Sequence, residues 1–138
     1  MKFPAWRPHR HELTIPAVPS SVRLARQEAE RAYASWGFNP SHPVLGPSLL
    51  VLSELVTNSV RHAAPLSPQL TVICSAGPRT IAFGVYDHHP GPLDPQCFPQ
   101  SPGGLATVAE VITDLDGTWT VHPDEYGGGK TVWITLPL

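Results

Sequence analysis

Apolar residues along the chain recur at two spacings, about two and about 3.6, and the switches between them divide the sequence into elements. In His11–Ala17, Leu13 and Ile15 share a face; this predicts a short strand, with Pro16 marking an edge or an end. Pro19-Ser20-Ser21 then offers an N-cap for a helix from about Ser21 to Trp36. Val22, Ala25, Ala29, Ala32 and Trp36 form its stripe, and Gly37 stops it. Asn39-Pro40-Ser41-His42-Pro43 is a breaker. A second helix follows, with Ser41 or Ser48 as cap and its end before Pro65; its stripe is Leu45, Leu49, Leu52, Val56 and Ala63.

Residues 69–76 and 80–87 alternate with period two around Gly77-Pro78, the pattern of an antiparallel hairpin. Ile81, Phe83 and Val85 share one face, and Asp87 ends the strand on that same face. From His88 to Gly103 the chain is a proline-rich loop, of a length that in a small domain usually marks function. Leu105, Val108, Ile112 and Leu115 restore helical spacing directly after Gly103-Gly104. Asp116-Gly117 turns the chain into two more strands, Thr118–Val121 and Thr131–Leu136, joined through Gly127-Gly128-Gly129. Helices and strands segregate, so the expected class is α+β: a two-layer sandwich of a mostly antiparallel sheet with helices on one face. Residues 1–10 read as a loose arm with Pro4 and Pro8, and residues 11–138 as one domain.

Size and charge narrow the function. A chain of 138 residues can bury a real core. A net charge of −2 without a basic block argues against direct nucleic-acid binding through a cationic field. No apolar run is long enough to span a bilayer and no signal-peptide segment opens the chain, so a cytoplasmic protein without a membrane partner is expected. Cys74 and Cys97 form no CxxC and predict burial or a free thiol, not a disulfide framework. The 17 prolines cluster between periodic segments and read as stiff loops.

Three constellations carry candidate chemistry. Gly129-Lys130-Thr131 has the end of a phosphate-binding GxxxxGK[ST] loop, but Asp124 stands where the first glycine belongs, and Thr131 opens a strand where that motif opens a helix. The P-loop reading is rejected. The histidines His9, His11, His42, His88, His89 and His122 offer no helical i, i+4 pair and no HExxH, so surface histidines outweigh a metal site. The third is the second helix, where Glu54, Asn58, Arg61 and His62 fall on one face. Alone, that face is an ordinary solvated helix side. Its sequel raises it: a carboxylate at a strand end can accept from an exocyclic amine, and an amide beside a carboxylate can ligate Mg²⁺. The free N–H groups where Gly103-Gly104 opens a helix suit phosphate. Together these are the parts of an adenine nucleotide site.

From about His11 to Leu138 the chain resembles the ATP-binding domain of the GHKL superfamily, the Bergerat fold. It is most similar to the small anti-sigma-factor serine/threonine-protein kinases. Glu54-Leu55-Val56-Thr57-Asn58-Ser59-Val60-Arg61-His62-Ala63 is similar to that family's N-box. The resemblance implies ATP and Mg²⁺ as cofactors. It implies Glu54 as the residue that orients or activates the attacking group, Asn58 as the Mg²⁺ ligand and Asp87 as the adenine contact. It places Gly103, Gly104 and Leu105 in the second glycine box and Thr131 near the adenine, with Arg61 and His62 as phosphate contacts at the end of the N-box.

Two positions depart from the family pattern. Asp87-His88-His89-Pro90-Gly91 keeps the aspartate and Gly91 of a DxGxG box but has His89 at its first glycine. Pro102-Gly103-Gly104-Leu105 has Pro102 at the first glycine of GxGL. Glycine there permits positive φ and close backbone approach, and proline removes a donor. The implied activity is phosphorylation of a small anti-sigma-factor antagonist protein, with a sigma factor as further partner. The alternatives are a catalytically weak or dead module that sequesters a partner, and a histidine-based hydrolase or metalloenzyme. Oligomeric state stays open; homodimers are usual in the family resembled. Of Trp119 and Trp133, at least one is expected in the core.

Overall fold

The computed structural model describes residues 9–63, 66–89, 104–125 and 127–138. In chain order the elements are β1 (His9–Pro16), α1 (Ser21–Ser35), α2 (Leu45–Ala63), β2 (Gln69–Ala76), β3 (Thr80–Asp87), α3 (Gly104–Asp114), β4 (Thr118–Pro123) and β5 (Lys130–Pro137). The strands form one antiparallel sheet in the order β1-β2-β3-β5-β4. The architecture is the expected α+β: an open five-stranded sheet with three helices among the described residues.

Alternation decides which residues meet the helices. Leu70, Val72 and Cys74 of β2, Ile81, Phe83 and Val85 of β3, and Val132, Ile134 and Leu136 of β5 share one buried cluster. Ala25, Ala29 and Ala32 of α1 and Leu45, Leu49, Leu52 and Val56 of α2 complete it. The small residues of α1 let that helix lie close to the sheet. Tyr33 is the exception: it reaches β3 and donates its hydroxyl to the Ala82 carbonyl at 2.8 Å. Trp119 packs against the same cluster, as expected of one tryptophan. Trp133 lies on the opposite sheet face, where its ring covers Gly84 so closely that any Cβ there would run into it.

Several sequence expectations are corrected at element ends. The first strand starts at His9 and ends at Pro16, because its ladder with β2 extends to the pair His9–Ala76. Residues 1–8 of the expected arm lie outside the described residues. Ser20 occupies the N-cap of α1 without a side-chain bond; the carbonyls of Val18 and Pro19 accept the N–H groups of Ser21 and Val22 instead. Neither Ser41 nor Ser48 caps α2. Ser41 donates to Asn39 Oδ1, and Ser48 lies within the helix, donating to the Val44 carbonyl at 2.7 Å. His42 takes the capping role, its Nδ1 accepting from Val44 N and its carbonyl from Leu45 N. At the end of α1, Gly37 adopts φ +92, the left-handed conformation that ends a helix at little cost for glycine.

Candidate functional site

Asp87 ends β3 on the helix-facing side of the sheet and is only 3% exposed. A carboxylate so buried needs donors, and the described residues give it three. Ser59 Oγ, from α2, donates to Oδ2 at 2.9 Å. The His89 backbone N–H donates to Oδ1 at 3.0 Å, closing a turn over the end of the strand. Lys130 Nζ, from β5, donates to Oδ1 at 2.8 Å. Lys130 is itself 8% exposed and faces Asp87 directly in the β3–β5 register.

The chain just after Asp87 is fixed from two further sides. The fully buried Ser67 accepts from His88 N at 2.9 Å while donating to the Gln69 carbonyl at 2.7 Å. Lys130 Nζ also donates to the His89 carbonyl, at 3.4 Å. The approach of β5 depends on Gly129, where a Cβ would sit 2.5 Å from the Asp87 carbonyl oxygen and 2.8 Å from the Tyr86 hydroxyl. On the other sheet face Tyr86 donates to Asp124 Oδ2 at 2.6 Å. Desolvation first, then that bond and the charges of Asp124 and Asp87, push the Tyr86 hydroxyl up to about 12.

The α2 wall of the site follows from helical spacing. Glu54 and Asn58 stand one turn apart and are half-buried, and the next residue, Ser59, turns into the core to meet Asp87. Thr57 and Ser53 donate back to carbonyls of their own helix, at Ser53 and Leu49, so neither hydroxyl is spent on the site. Arg61 and His62 lie exposed in the last turn of α2, where positive charge also suits the helix dipole. Gly104 opens α3, with Leu105 in its first turn. Gly91, Pro102 and Gly103 lie outside the described residues.

One expected residue is misplaced and two were missed. Thr131 pairs with Tyr86 across the ladder, so its side chain lies on the sheet face opposite Asp87. The β5 residue at the carboxylate is Lys130. A signal for it existed: Lys130 continues the alternating phase of Val132, Ile134 and Leu136, which is the core phase. Ser59 gave a weaker signal, a hydroxyl one position beyond Asn58. No sequence rule indicated that it would be buried against a strand 28 residues away.

A buried carboxylate thus ends a strand beside a helix that presents a carboxylate and an amide, on an α+β sandwich. The sequence pattern of the family described as histidine kinase-, DNA gyrase B- and HSP90-like ATPase matches residues 48–138, and the chain belongs to that family. Among solved structures it is similar to the histidine kinase domain of the Erythrobacter litoralis EL346 blue-light activated histidine kinase. The TM-score is 0.50 and the identity 17%, over 90% of this chain and 62% of that one. At that identity the likeness concerns the fold. Comparison with curated proteins gives no match.

The described residues fit the family's nucleotide. A carboxylate offers about four acceptor positions. The three donors that the described residues place on Asp87 leave one such position for an exocyclic amine. The oxygens of Asn58 and Glu54 are of the hard type that Mg²⁺ prefers. Elsewhere among the described residues no helix is long and apolar enough to cross a membrane, and no group of three or more metal-ligating side chains occurs.

Proposed function

We propose that the chain is an ATP- and Mg²⁺-dependent serine/threonine-protein kinase of the anti-sigma-factor type. Its substrate is a serine or threonine of a small antagonist protein, it regulates transcription through a sigma factor, and it works in the cytoplasm. The observation that carries the reading is Asp87, a buried carboxylate fixed by Ser59 and Lys130 at the edge of the wall bearing Glu54 and Asn58.

In this reading Asp87 receives the adenine amine, and the Asn58 amide oxygen ligates Mg²⁺. When bound, ATP supplies the phosphoryl group. Glu54 orients the acceptor hydroxyl of the protein substrate and takes its proton. The backbone N–H groups at Gly103-Gly104 contact phosphate, with Arg61 and His62 as further contacts from the end of α2. Phosphoryl transfer depends mainly on positioning and charge neutralisation, which is what these groups offer.

His89 favours a second reading. It replaces a glycine of the family pattern and its N–H is already engaged by Asp87. In that reading the chain binds nucleotide and acts by holding a protein partner, with little or no transfer. Titration calorimetry with ATP and ADP, with and without Mg²⁺, followed by transfer assays with proteins that co-purify, separates the two. Nucleotide binding with partner phosphorylation supports the kinase; binding of nucleotide and partner without phosphorylation supports the second reading. No binding at millimolar nucleotide removes the ATP-dependent reading.

A further inference from the structure

The ammonium of Lys130 stands beside the carboxylate expected to receive the adenine amine, in a position the resemblance assigned to no residue. We propose that Lys130 is a specificity-determining residue of the base site, donating a hydrogen bond to the ring nitrogen N1 of adenine while Asp87 accepts from the adjacent exocyclic amine. This rests on the reading of the site as an adenine nucleotide pocket.

The geometry carries it in three steps. Lys130 and Asp87 are directly opposed in the β3–β5 ladder and lie on the same sheet face. An ammonium has three N–H donors. One goes to Asp87 Oδ1 at 2.8 Å, a second makes a long bond to the His89 carbonyl at 3.4 Å, and the third has no partner among the described residues. The two buried groups therefore present an acceptor and a donor side by side. The Watson–Crick edge of adenine has the reverse order, an amine next to an acceptor nitrogen. Guanine in the same pose would set its carbonyl oxygen against the carboxylate.

Burial adds to the effect. At 8% exposure Lys130 is largely withdrawn from water, where a donor left without a partner is costly and a charge-assisted bond strong. The remaining donor is thus better placed to discriminate between bases than a surface lysine would be. A threonine at position 130 would offer one short hydroxyl and no charge.

The test uses ATP and 1-deaza-ATP, which lacks the N1 acceptor, titrated into the wild-type chain and into K130M. Wild type is expected to bind ATP about tenfold more tightly than 1-deaza-ATP, the effect of one hydrogen bond to a charged donor. In K130M that ratio falls to about one. Equal affinity of wild type for the two nucleotides overturns the inference and leaves the ATP reading intact. An unchanged ratio in K130M also overturns it, because another donor then reads N1. Binding of neither nucleotide overturns the ATP reading and this inference with it. If K130M does not fold, a crystal structure of the wild-type chain with a non-hydrolysable ATP analogue decides. Lys130 Nζ within hydrogen-bond distance of N1 supports the assignment; an intervening water or a separation beyond direct contact overturns it.

Discussion

Lys130 Nζ lies 2.8 Å from Asp87 Oδ1, and both residues are buried where β5 begins and β3 ends. Burying two charges costs solvation, and their attraction and remaining hydrogen bonds offset that cost only while both partners are present. Asp87→Ala strands the ammonium. It is expected to lower unfolding stability by about 3–5 kcal/mol in urea titrations at neutral pH. The double variant D87N/K130M strands no charge and is expected to recover most of that loss. A double variant as unstable as Asp87→Ala would show that the pair is not the source.

Ser59 supplies the only donor on Asp87 Oδ2 among the described residues. Ser59→Ala removes it while changing little volume. Loss of a hydrogen bond to a charged group corresponds to about 1.5–3 kcal/mol. Stability by denaturant unfolding should fall by that order. If Asp87 receives the adenine as proposed, ATP affinity should also weaken, because the carboxylate then has freedom to turn. Ser59→Thr keeps the hydroxyl and serves as the comparison for calorimetry.

Gly129 is needed for close approach. A methyl group there meets the Asp87 carbonyl oxygen at 2.5 Å, so the backbone must shift. Gly129→Ala should destabilise the fold by about 1–3 kcal/mol and weaken nucleotide binding by moving Lys130 from Asp87. Gly127 is exposed with φ +73, and among the described residues nothing lies within 4 Å of its would-be Cβ. Gly127→Ala should therefore cost only local backbone strain and leave nucleotide affinity unchanged.

Cys74 is a free, buried thiol in β2, and burial pushes it from 9.0 up to about 12, against a smaller lowering by Tyr33. The folded protein thus holds its proton where the unfolded chain releases it. The resulting stability is complete below about pH 9 and is lost as pH rises toward 12. Denaturant midpoints measured from pH 8 to 11 should fall more steeply for wild type than for Cys74→Val. Alkylating reagents at neutral pH should leave this thiol unmodified in the native state.

Within the proposed kinase, Asn58→Ala is expected to abolish Mg²⁺-dependent strengthening of ATP binding. Glu54→Ala is expected to keep nucleotide affinity while losing transfer to the protein substrate. Wild-type phosphorylation by Glu54→Ala would remove Glu54 from its role. Calorimetry and transfer assays on the same preparations provide both readouts.

Much of this molecule was legible along the chain because its information is local. The alternation in β2, β3 and β5, the 3.6-residue stripes of α1 and α2, and the turn residues Gly37 and Gly77-Pro78 each act within a few positions. The position of Asp87 on the core phase of β3 was readable for the same reason. The caps were less legible, since Ser20, Ser41 and Ser48 all suit a cap and backbone carbonyls or His42 took the bonds instead.

The sequence by itself determined that the chain would form an α+β sandwich with Glu54 and Asn58 on one helix face and Asp87 at a strand end. Only the tertiary structure decided which groups surround Asp87. Ser59 is 28 residues away and Lys130 is 43 residues away. Their meeting depends on how α2 seats on the sheet and on the β3–β5 register. A register shift of one residue would bring Thr131 to the core face in place of Lys130, because side chains alternate between the faces of a sheet. The choice between a hydroxyl and an ammonium beside the carboxylate is therefore set by strand pairing, which local sequence patterns do not encode.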